Sequence, residues 1–90
     1  MTVSRWNRDR ARRARVALLA HQTADANGSP GQARAELKAD PGAVLRYLLA
    51  DLRHWAEENG ISFEEAAMKA QGIYADEARE AKAERKEGTR

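Results

Sequence analysis

The sequence predicts an all-α protein: an N-terminal basic helix, and an antiparallel helical hairpin that follows it. Three observations lead there. Nineteen of the 90 residues are alanine, the strongest helix former. Turn formers gather in a few short breaks and leave long uninterrupted stretches between them. Within those stretches the larger apolar residues recur at three- and four-residue spacing, and no stretch alternates as a strand would.

The first helix is expected over residues 4–24, which contain neither Gly nor Pro, with Ser4 as its N-cap. Its apolar stripe (Trp6, Val16, Leu18, Leu19) is poorly defined before residue 14, and arginines in the first turns oppose the helix dipole. The first dozen residues are therefore expected to fray, or to order only against a partner. Residues 25–32 (Asp-Ala-Asn-Gly-Ser-Pro-Gly-Gln) read as a linker, and a short helical stretch over 32–39 follows.

Asp40 and Pro41 give the clearest start signal in the chain, a capping carboxylate followed by proline at the first helical position. That helix should run to about residue 59. Val44, Leu45, Leu48, Leu49, Leu52, Trp55 and Ala56 fall on one face of it, which marks it as the core helix and that face as either core or oligomer surface. Gly60 suits the position after the helix end, and Ser62-Phe63-Glu64-Glu65 reads as a capping box preceded by Ile61 as a hydrophobic staple. The last helix, about 62–84, carries Phe63, Ala66, Ala67, Ala70, Ile73, Tyr74 and Ala78, a small-residue face that admits close approach of another helix. Residues 85–90 form a charged tail. The whole is one small domain, with residues 1–15 as a basic arm and 40–84 as the hairpin.

Removing alanine from the 42% apolar fraction leaves only 19 larger apolar side chains, a thin core for a monomer. Self-association through Leu45, Leu48, Leu49, Leu52 and Trp55, as a homodimer, would bury more. There is no cysteine, which rules out disulfides, thiolate metal sites and thiol nucleophiles and fits a reducing cytoplasm. The longest apolar run, Val16 to Ala20, is far too short to cross a bilayer. The arginine-rich start lacks the apolar region of a secretory signal, so the mature chain is expected to begin at Met1.

Net charge is +2, but its distribution is uneven: residues 1–15 carry +5 and the remaining 75 carry −3. If helical, Arg5, Arg8, Arg12 and Arg15 share one face, flanked by Arg10 and Arg13, and Trp6 can stack on a base or cap the core. Such a ridge suits a phosphate backbone and an acidic protein surface equally well. Arg5, Trp6, Arg8, Arg12, Arg13 and Arg15 are the candidate contact residues.

Other chemistry is poorly supported. The acids Glu57, Glu58, Glu64, Glu65, Asp76, Glu77, Glu80 and Glu84 either flank a turn or interleave with Arg79, Lys82, Arg85 and Lys86, as on a solvated face. They lack the Glu-x-x-His pattern of helical metal sites. His21 and His54 have no nucleophile or ligand pattern around them, and Gly28-Ser29-Pro30-Gly31 lacks the lysine of a phosphate loop. No metal, cofactor or catalytic residue is expected. Ala56 to Ile61 resembles the centre of a DNA-binding helix-turn-helix, but Asn59 and Lys69 stand where apolar residues belong, and Glu64 and Glu65 would repel phosphates.

Residues 48–74 (LLADLRHWAEENGISFEEAAMKAQGIY) resemble short helical proteins of actinobacterial phages and mobile elements. They are also similar to the later helix pair of MazG-like nucleotide pyrophosphatases, which implies nucleotide binding. The positions where that family carries magnesium-binding acids fall here on Val44 and Tyr47, so no catalytic residue transfers. The expectation is a non-enzymatic helical interaction or regulatory protein binding a host protein, an accessory factor of a phage or mobile element. The alternative is a nucleic-acid-binding protein, and the third a vestigial MazG-like one.

Overall fold

A computed structural model describes the backbone of residues 3–25 and 27–87 and the side chains of 5–25 and 27–84. Within them the chain is all-helical and has no strand: α1 Val3–Asp25, α2 Pro30–Ala39, α3 Pro41–Glu58 and α4 Phe63–Glu87. The side chain of Ser4, expected as a cap, and the charged tail over 85–90 lie outside the described side chains. The backbone of α1 is already helical at Val3, so Ser4 stands inside the helix.

Short-range chemistry sets the boundaries. After α1, Gly28 N–H donates to the Thr23 carbonyl at 2.8 Å, with Asn27 and Gly28 both at positive φ (56° and 82°). Ser29 caps α2 by accepting from Gln32 N–H at 3.2 Å, and Pro30 occupies the first turn. The helix therefore starts two residues earlier than expected, because Ser29-Pro30 is a start signal hidden inside a turn-rich run. Asp40 serves two helices: its N–H donates to the Glu36 carbonyl at 2.9 Å, closing α2, and its carboxylate accepts from Ala43 N–H at 3.1 Å, opening α3. At the far end of α3, Ile61 N–H reaches the Ala56 carbonyl at 2.8 Å across Gly60, whose φ is 69°. Ser62 caps α4 through Glu65 N–H at 3.2 Å. The Glu65 carboxylate pairs with Lys69 at 2.9 Å, a bond along its own helix.

The packing differs from the expected hairpin core. α1 makes the broadest contacts, with α4 and with α2, whereas α3 and α4 touch each other least of all the adjoining pairs. The buried apolar residues are Ala33 and Leu37 of α2, Val44 and Ala56 of α3 and Ala81 of α4. Leu45, Leu49, Leu52 and Trp55 are 43% to 57% exposed, and only Leu48 of the expected face is half-buried. Of the two readings of that face, core or oligomer surface, these four side chains are not part of the core of this chain. The reason is geometric: α4 carries its small side chains Ala78 and Ala81 toward Ala11 of α1, and so leaves most of the α3 stripe uncovered. The radius of gyration is 16.1 Å, against about 12 Å for a globular chain of this length.

Candidate interaction surfaces

The arginine-rich segment forms the first half of α1, and its Arg10 is used to bind another helix of the chain. Asn7 Nδ2 donates to the Glu77 carbonyl at 3.1 Å, and Arg10 Nε meets the Glu77 carboxylate at 2.5 Å. Arg10 also donates from Nη1 to Asn7 Oδ1 at 2.5 Å. These three residues clamp α1 onto α4, and the segment expected to fray is helical because α4 supplies the acidic partner. At the other end of α1, His21 Nε2 lies 2.6 Å from Asp51 Oδ2 of α3, and the buried Gln22 amide donates to Glu36 of α2. The clamp and the two links hold α1 at both ends.

Because Asn7 and Arg10 face inward, helical spacing turns the remaining arginines away from the core. Arg5, Arg8, Arg12, Arg13 and Arg15 are all exposed. Arg12 makes only a loose pair with Asp9 on the same helix, 3.5 Å apart, and Arg8, Arg13 and Arg15 have no ion pair among the described residues. Trp6 is 44% exposed, and seven residues separate it from Arg13, so the two share a face. Between α1 and α4 runs an open groove of about 830 Å³, floored by Ala11, Ala78 and Ala81 and rimmed by Arg8 and Glu84.

A second surface comprises the far ends of α3 and α4. From Leu49 to Tyr74 every residue except Ala56 and Phe63 is exposed. Leu49, Leu52, Trp55, Ile61, Met68, Ile73 and Tyr74 all show their side chains to solvent there. The spacing of α3 pointed to Leu49, Leu52 and Trp55. Met68, Ile73 and Tyr74 were assigned to a packed stripe or passed over; the available signal was quantitative, since an alanine-rich α4 has too few large side chains to cover α3.

The remaining candidates stay apart. Among the described residues no group of three or more His, Asp or Glu side chains is placed to hold a metal ion. No helix among them is long and apolar enough to cross a membrane. Arg53 bridges the turn to Glu64 at 2.5 Å, and Lys69 is exposed, so the helix-turn-helix positions are used as a charged surface. Val44 is buried and Tyr47 exposed, and neither offers an acid. Glu77 and Asn7, which hold the basic segment, were not singled out in the sequence as its partners. Comparison of the chain with protein-family models, with curated proteins and with solved structures returns no match to any of them.

Proposed function

We propose that this chain is a small helical interaction protein that acts by binding rather than by catalysis, with the basic ridge of α1 as its contact surface for an acidic partner protein. One observation carries the reading: α1 is clamped onto α4 through Asn7 and Arg10, while Arg8, Arg13 and Arg15 stay exposed without an ion pair among the described residues. A charged ridge on an anchored helix loses less freedom on binding than a frayed arm would. Long-range attraction then speeds encounter with an acidic surface. In a phage or mobile element, which residues 48–74 resemble, such a protein acts on a host factor.

A second reading, contact with nucleic-acid phosphates, draws on Trp6. Its exposed ring lies on the face of Arg13, the combination that stacks a base beside a neutralised phosphate. The two readings separate in one titration. A labelled glutamate-rich helical peptide, generic duplex DNA and single-stranded RNA are each followed by fluorescence anisotropy at low and physiological salt. The full chain is run beside an Arg8→Gln/Arg13→Gln/Arg15→Gln variant. Peptide binding that the triple variant loses supports the protein reading. Submicromolar nucleic-acid binding that falls steeply with salt promotes the phosphate reading in its place. Equal binding by variant and parent removes the ridge from both.

A further inference from the structure

We infer that a second copy of this chain covers the far hairpin, residues 49–74, so that two hairpins pack into one four-helix layer. The inference is independent of the partner assigned to α1. It starts from what holds that hairpin in place. Eleven consecutive residues of α4, Glu64 to Tyr74, are exposed, as are all seven of α3 from Leu49 to Trp55. Three turns of helix without tertiary cover are marginal in water, whatever their propensity. Among the side chains left open are Leu49, Leu52, Trp55, Met68, Ile73 and Tyr74, large apolar groups of the kind that protein interiors normally take up.

Area sets the size of the missing partner. The chain exposes 7205 Å², against about 5,200 Å² for a folded monomer of its mass. The excess, about 2,000 Å², exceeds the roughly 800 Å² per partner that a stable interface needs. Among the described residues only five apolar side chains are buried, three of them alanines, so a partner surface is available to cover the open ones. The partner present at every synthesis is another copy, and an isologous pair closes on itself without leaving a new open face.

Charge points the same way and gives the direction. At the hairpin tip Glu57, Glu58, Glu64 and Glu65 outnumber their basic partners Arg53 and Lys69, while residues 1–15 carry a net +5. Two hairpins lying side by side in opposite directions keep their acidic tips apart. A parallel pair would bring together two tips that each carry more acids than bases.

Sedimentation equilibrium of the full chain at micromolar concentration tests this, beside a Leu49→Glu variant. The expected result is a particle of about twice the 10.0 kDa chain mass, with dissociation at least about 100-fold easier in the variant. Because that variant can also fail to fold, a second measurement uses the absence of cysteine. Single cysteines replacing Leu45, Leu49, Leu52 or Trp55 are oxidised in turn, with Val16→Cys on α1 as control. Rapid disulfide-linked dimer from at least one α3 position, and none from the control, supports the inference. A 10 kDa particle that keeps its helical circular dichroism, or cross-linking no faster on α3 than on α1, overturns it. Either result leaves the ridge titration to stand or fall separately.

Discussion

If α1 is ordered by its clamp on α4, the Arg10–Glu77 pair should show a measurable coupling energy. The perturbation is a double-mutant cycle of Arg10→Met, Glu77→Gln and both together, each replacement close in volume to the original. Fully exposed ion pairs contribute about 0.2–1 kcal/mol, and breaking a fully buried pair costs about 3–5 kcal/mol. Here the side chains are 40% and 24% exposed, and the N···O distance is 2.5 Å. Solvent still screens the pair, so the estimate belongs near the top of the exposed range, about 1 kcal/mol of coupling. Arg10→Met should cost slightly more than Glu77→Gln, because it also removes the bond to Asn7 Oδ1. Urea unfolding followed by far-ultraviolet circular dichroism, at one protein concentration for all four chains, reads the cycle. Hydrogen exchange then localises the effect: amides over residues 8–14 should exchange about five-fold faster in either single variant, with those of α2 unchanged. A coupling below about 0.3 kcal/mol, or faster exchange spread evenly over the chain, would refute the clamp.

Other perturbations test the rest of the frame. Leu37→Ala should cost about 3 kcal/mol, read as a lower urea midpoint, since Leu37 is 8% exposed and, among the described residues, one of two buried apolar side chains larger than alanine. Gln22→Glu should cost more than about 2 kcal/mol, read as a lower urea midpoint, because it sets a buried carboxylate against the half-buried Glu36 in place of an amide donor. Asp40→Ala, which removes the Ala43 N–H acceptor, should cost about 1 kcal/mol and show first as faster exchange at the start of α3. Gly60→Ala should cost about 1 kcal/mol through its positive φ alone, since nothing lies within 4 Å of an added Cβ.

How much of this was legible follows from what each signal reports. Helix ends were readable where a cap and a proline or glycine coincide. Asp40-Pro41 and Gly60 with Ser62 act as their residue types require. Ser29-Pro30 carries the same chemistry but sits among turn formers, which is why α2 seemed to begin at Gln32. Periodicity found the apolar face of α3 and left open whether it is core or oligomer surface, because a stripe records which side of a helix is apolar and not what covers it. Which helix covers which depends on long-range pairings such as Arg10 with Glu77, separated by 67 positions, and no local pattern encodes those. The arginine ridge was visible as composition. Its division into one clamped and several exposed arginines was not, because that follows from where α4 comes back to α1.

That division bears on why the chain tolerates so thin a core. A helix with five arginines in its first eleven residues is a poor choice for burial, yet α1 is the element every other helix touches. Its inward contacts are built largely from small and polar groups: Asn7 and Arg10 on Glu77, Ala11 opposite Ala78 and Ala81, His21 on Asp51, Gln22 on Glu36. Small groups bring helix axes close and polar ones fix register, but neither buries much apolar area. Among the described residues, most of the exposed large apolar side chains are instead concentrated at the far hairpin. Positioning and driving force are thus separated in space. The α1 contacts determine the arrangement, and on the dimer inference association adds the apolar area that stabilises it. Dilution should therefore act as a denaturant. On the dimer reading, the urea midpoint of the parent chain rises with protein concentration, whereas that of Leu49→Glu is lower and does not depend on it. A parent midpoint constant over a hundred-fold range of concentration would mean that the α1 contacts alone hold the fold.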